Sequence, residues 1–120
     1  MASIQDALQG IEKASDPRFP HAPPDWTHET AVAIAHQEQL ALGDDHWAVV
    51  RGLQEFFARH EYGAVNLREL HDALDEKFHH KGGMKYLYTL LPGGPIAQGC
   101  RLAGLKPPAG AIDRSFGSVA

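Results

Sequence analysis

The chain has a single cysteine, Cys100. That scarcity excludes an internal disulfide and any zinc site built on paired cysteines. No apolar run approaches the roughly 20 residues needed to cross a bilayer as a helix. The opening residues, Met1-Ala2-Ser3-Ile4-Gln5-Asp6, have neither the basic start nor the apolar core of a secretion signal. Basic residues do not dominate either: 11 against 15 acidic ones leave a net charge of −4. Tight electrostatic binding to nucleic acid or anionic lipid therefore has little to rest on. Neither a repeat nor an alternation of strands with helices is present, and there is no phosphate loop, cofactor motif or activated nucleophile with an adjacent base. The expectation from these absences is a cytoplasmic protein with no membrane contact and no cofactor.

At 120 residues the chain can bury one core covering roughly 60–70% of its unfolded surface. Residues 1–24 read as a leader that packs weakly. Ile4, Leu8 and Ile11 fall at helical spacing, but Pro17, Pro20, Pro23 and Pro24 then break regular hydrogen bonding. From 25 to 105 the pattern is helical. Thr27 caps a helix with Ala31, Ile34, Ala35 and then Leu40 or Leu42 on its apolar face. Gly43 breaks the run, and Asp44-Asp45 put negative charge in the first turn of the next helix, where the dipole favours it. That helix carries the strongest core signal: Trp47, Val50, Leu53 and Phe57 on one stripe, widened by Val49 and Phe56. Arg51, Glu55 and Arg59 lie on its wet side.

Tyr62-Gly63 ends that helix. Asn66, with Glu69 three residues on, forms a capping pattern, and Leu67, Leu70, Leu74 and Phe78 supply the stripe behind it. Gly82-Gly83 make a loop before a short helix from Met84 to Leu91. Pro92-Gly93-Gly94-Pro95 stops one helix and starts another, with Pro95 in the first turn, where its missing N–H costs nothing. The last helix runs to about Ala103 and is closed by Gly104. Residues 106–120 are rich in proline, glycine and small side chains, the composition of a mobile arm. The expected fold is all-α, an irregular orthogonal bundle of about five helices with little or no β structure at the N-terminus and a flexible C-terminal arm.

The eight histidines show no metal-ligand spacing. His79 and His80, though adjacent, diverge by about 100° on a helix, so scattered surface histidine is expected and no metal. Lys77, Lys81, Lys85, Arg101, Lys106 and Arg114 gather toward the C-terminal side; with an acidic total, a solvated face explains them better than a DNA site. Cys100 sits six residues into the last helix. Taken alone, such a thiol is more often a small core hydrophobe than a nucleophile. Reactivity needs solvent access and a lowered pKa. Arg101 and Lys106 help only by pointing at the sulfur, because the helix N-terminus is too distant for its dipole to act.

Several motifs together resemble the DsrC/TusE sulfur-relay family over residues 24 to 112: Asp25-Trp26, His46-Trp47, Arg68, Lys85-Tyr86-Leu87-Tyr88, Pro92-x-Gly94-Pro95 and Ala103-Gly104-Leu105. Small proteins of that family pass a persulfide sulfur on cysteines at the chain end. Members linked to dissimilatory sulfur metabolism carry two, one on the last helix and one ten intervening residues later on the arm. Members serving tRNA wobble-uridine thiolation keep the arm cysteine alone. Here Cys100 matches the first position and Ala111 fills the second. Three further departures stand out. The family's Leu-Pro-Lys-Pro becomes Leu105-Lys106-Pro107-Pro108, residues Asp113 to Ala120 extend past the usual end, and the family's β-hairpin before Asp-Trp has no counterpart.

The resemblance implies an accessory sulfur carrier or docking protein, not a self-contained enzyme. Cys100 is its candidate sulfur-carrying thiol, and Arg101 and Arg68 are the accompanying candidate site residues. The Cys100 thiolate would take a sulfane sulfur from a donor protein and pass it on by thiol exchange. The implied partners are proteins of a sulfur-transfer pathway, of the sulfurtransferase or sulfite-reductase type. Ala111 and the extended tail motivate an alternative, a regulator or docking protein of the same fold that does not transfer sulfur. A helix-turn-helix DNA-binding regulator stands behind both.

Overall fold

Local capping chemistry sets where each helix begins. In a computed structural model, which describes residues 16–60 and 65–111, Thr27 adopts an extended backbone and its hydroxyl accepts the Thr30 N–H at 3.1 Å. This starts α1, His28–Gln37, which buries Ala31 and Ala35. Gln39 takes a positive φ of 58° and reverses the chain, so Leu40 and Leu42 pack from a loop and not from the helix face expected of them. After Gly43 comes α2, Asp44–Ala58, with both aspartates in its first turn and Val49, Val50 and Leu53 buried. Asn66 accepts the Glu69 N–H at 3.1 Å and opens α3, Leu67–Lys77, which buries Leu70 and Leu74. A short 3₁₀ turn, His79–Lys81, leads to α4, Gly83–Leu90. Finally α5, Pro95–Ala103, starts on its proline and ends at Gly104, whose φ of 78° is left-handed.

The expected all-α bundle of about five helices is what the described residues form, and no strand occurs among them. Its centre is α5, which packs against α1, α2 and α4. Every residue of α5 except Arg101 is buried. A helix buried all round must be made of small and apolar side chains. Gly99 shows how closely its neighbours approach: a Cβ there would lie 2.8 Å from the Leu53 side chain.

Residues 16–24, the described part of the proline-rich leader, pack more firmly than their composition implies. Phe19 is buried and meets Trp26 edge-on with ring centroids 4.8 Å apart, and Trp47 at 5.6 Å. The second helix closes at Ala58, capped by Arg59, ahead of the Tyr62-Gly63 pair expected to end it. The possible helix through Ile4, Leu8 and Ile11 and residues 112–120 of the arm lie outside the described residues.

Candidate functional site

Cys100 lies in the last turn of α5 and is fully buried. Its pKa is pushed up to about 12, and burial is the sole cause; no cation offsets it. At neutral pH the group is a protonated thiol, neither an effective nucleophile nor accessible to one.

The last turn of α5, in which Cys100 sits, is tied at every carbonyl. The last four C=O groups of a helix have no partner within it, and here each finds one. The Leu105 N–H donates to the Cys100 carbonyl at 2.9 Å and the Gly104 N–H to that of Arg101 at 3.4 Å. The Trp26 indole donates to the Leu102 carbonyl at 2.7 Å, and the Gln54 amide to that of Ala103 at 3.0 Å. Gly104 is also where Trp26 lies closest, since a Cβ on it would fall 2.8 Å from the indole. Trp26 and the Ala103-Gly104-Leu105 motif thus meet at the end of α5, the helix that carries the thiol.

The other site candidates do not converge on the sulfur. Arg101 grips Glu38 at the end of α1, donating from Nε at 2.8 Å and from Nη2 at 3.0 Å. The Gln98 amide donates to the same carboxylate at 2.9 Å, while its oxygen accepts the Gly93 N–H at 2.8 Å. The Arg101 hydrogen bonds, then that of Gln98, hold the Glu38 carboxyl below its usual range. Arg68 stands exposed in the first turn of α3 and contributes nothing to the state of the thiol. Lys106 is likewise exposed.

Two further motifs resolve into structural ties. His46 accepts the Gly43 N–H at Nδ1 (3.0 Å), which leaves Nε2 to donate to the Leu90 carbonyl at 2.9 Å. One imidazole thereby joins the start of α2 to the end of α4. Asp45 accepts from the Tyr86 hydroxyl and from Lys81 Nζ at 2.9 Å, and these bonds, Tyr86 first, keep its pKa low. Ala111 is half-buried against the core, beside a small cleft of about 140 Å³ that Tyr88, Pro95 and Ile96 also line. No group of three histidine, cysteine or acidic side chains that would hold a metal ion occurs among the described residues.

Gln54 is the residue that the sequence reading passed over. It is buried, holds the end of α5, and its Oε1 has no partner. The available signal was its spacing, since Trp47, Val50, Gln54 and Phe57 follow the inward-facing rhythm of α2.

A protein-family model described as DsrC like protein matches residues 11–112. Among characterised proteins the chain is similar to the sulfurtransferase TusE of Photorhabdus laumondii, 36% identical over 85 residues, which is 70% of this chain and 76% of that one. It is also similar to the TusE sulfurtransferases of Salmonella typhimurium, at 40% identity, and Escherichia coli K12, at 38%, each over 84 residues covering 69% of this chain and 76% of the relative. No solved structure matches the chain.

Proposed function

We propose a function for this chain from one premise: it belongs to the family of DsrC-like proteins. It is a sulfur-relay protein that works with protein partners of a sulfur-transfer pathway. Within that role it docks on sulfurtransferase or sulfite-reductase-type enzymes and keeps its one thiol closed until a partner opens the end of α5. Cys100 is the sulfur site. Once exposed and ionised, its thiolate attacks the outer sulfur of a donor persulfide, forms a persulfide on Cys100 and releases the donor as a thiolate. Arg101 and Arg68 serve docking, Arg68 from an exposed position and Arg101 by holding α5 to α1.

The observation that supports this reading is the family match over residues 11–112, with TusE sulfurtransferases among the relatives; the thiol itself is fully buried with a pKa near 12, so carriage requires that α5 open. Ala111 in the place of the arm cysteine favours a second reading, in which the chain docks and never transfers. One experiment separates the two. The protein is mixed with a persulfide-loaded sulfurtransferase and followed by intact mass, with Cys100→Ala beside it. Gain of one sulfur atom by the wild type alone supports gated carriage. Binding by both proteins with no sulfur on either supports docking without transfer, and absence of binding would overturn both.

A further inference from the structure

We infer that residues 105–111 form a strap laid back along α5, and that its docking beside the first turn of that helix holds closed the last turn, where Cys100 sits. A partner that draws the arm off the body would thereby expose the thiol. The strap supplies the opening step of the function proposed above, and only the partner's part in it rests on that reading.

The strap is fixed at both ends. At the near end the Leu105 N–H donates to the Cys100 carbonyl at 2.9 Å, and the Leu105 side chain packs half-buried against the core. At the far end Ala111 is half-buried against the same core. It shares a cleft with Pro95, Ile96 and Ala97 at the start of α5 and with Leu67 of α3. Gly110 runs so close to α3 that a Cβ on it would fall 3.1 Å from the Leu67 side chain. The chain therefore leaves the last turn of α5 and comes back to its first.

Length makes the two ends depend on each other. The nine residues of α5 span about 13 Å of helix. The steps from Leu105 to Ala111 reach at most about 20 Å when fully extended. Part of that reach is spent on a turn, because the Ala111 N–H donates back to the Pro108 carbonyl at 3.2 Å. Pro107 and Pro108 fix φ and stiffen the middle. So short and stiff a segment has little slack, and the seat of Ala111 restrains where Leu105 can go. Two of the four ties on the last turn of α5 come from the Gly104 and Leu105 N–H groups that lead into the strap. Release at Ala111 frees them, the Cys100 and Arg101 carbonyls lose their donors, and the turn frays. Ala111 offers only a methyl group to hold the far end, which makes that end the weaker anchor.

The test changes the far end and reads the near one, in the full chain. Ala111→Asp sets a carboxylate against apolar walls and leaves every residue of α5 unchanged. Labelling of Cys100 by an aromatic disulfide reagent should become about 10-fold faster or more. Amide hydrogen exchange should show Leu105 losing protection while the buried Leu53 and Leu70 keep theirs. Ala111→Val enlarges the apolar contact at the same seat and should label more slowly than wild type. The strap is overturned if Ala111→Asp loses protection at position 111 while Leu105 exchange and Cys100 labelling stay at wild-type values. It is overturned equally if labelling quickens only in step with exchange at Leu53, which would be global unfolding. Should Ala111→Asp not fold, Ala111→Val decides alone, and an unchanged labelling rate there overturns the strap. No readout involves sulfur transfer, so the strap and sulfur carriage by Cys100 stand or fall separately.

Discussion

Replacing Trp26 with phenylalanine removes one hydrogen-bond donor from the end of α5 and leaves the sequence of that helix untouched. The Leu102 carbonyl has no donor within the helix, and the indole at 2.7 Å is what satisfies it. Losing that bond strands a buried acceptor, at a cost of about 1–3 kcal/mol. The smaller ring also vacates part of a site where Trp26 is only 3% exposed, adding about 1 kcal/mol. Even the lower sum, about 2 kcal/mol, multiplies the population of opened molecules by about 30.

Reaction of Cys100 with an aromatic disulfide reagent at about pH 8, without denaturant, reads that population. With its pKa near 12 the folded thiol has about a thousandfold less thiolate than an ordinary one, so wild type reacts through its opened form. Trp26→Phe should react about 30-fold faster or more, while urea unfolding shows a stability loss of about 2–4 kcal/mol. The reasoning fails if wild type reacts as fast as a small free thiol. It fails equally if the variant loses that stability and its labelling rate stays at the wild-type value.

The raised pKa of Cys100 makes stability fall with alkali. The native state holds the proton more tightly, so the contribution is complete below the ordinary value of 9.0 and is lost as pH rises toward 12, at up to about 1.4 kcal/mol per pH unit. Comparing urea midpoints of wild type and Cys100→Ala from about pH 8 to about pH 10.5 isolates this slope, because lysines and tyrosines titrate in both; a pH-independent difference contradicts it. Glu38 gives the opposite dependence: with its folded pKa depressed, its contribution is present above the ordinary 4.5 and is lost as pH falls through the folded value. Glu38→Gln should cost about 1.5–3 kcal/mol at neutral pH, with the deficit shrinking in acid, and a deficit constant down to about pH 3 would be inconsistent with the Arg101 clamp. Gly104→Ala forces a left-handed φ of 78° on alanine and puts its Cβ 2.8 Å from the indole, so a loss of about 2–4 kcal/mol and faster thiol labelling are expected. Wild-type stability in that variant would show that the turn is not tied as described.

What could be read from the sequence was local. Thr27, Asn66, Pro95 and Gly104 mark helix ends because each acts on residues within one turn of itself, and all four do so in the structure. The stripe of α2 was legible for the same reason, as a periodicity inside a single element. What escaped was long-range. Gln54 meets Ala103 across 49 residues and Trp26 meets Leu102 across 76, and no spacing rule couples positions so far apart. Phe19 looked like part of a loose leader because prolines surround it, yet Trp26 and Trp47 give it a pocket. The reversal at Gln39 was hidden too, since glutamine carries no signal for a positive φ. At Cys100, residue chemistry taken alone pointed to a packed small hydrophobe, and the family motifs pointed to a sulfur site. The structure gives the packing, and sulfur carriage at that position, as proposed, would require opening it.

The most direct test is the mass of the intact, folded protein after brief exposure to a small-molecule persulfide donor at neutral pH, with Cys100→Ala as control. The account predicts no added sulfur on native wild type, and one sulfur atom, removable by reductant, once denaturant or Trp26→Phe opens the end of α5. Rapid gain of one sulfur atom by folded wild type, with none on Cys100→Ala, would mean that the thiol is not sealed and would contradict the account at its centre.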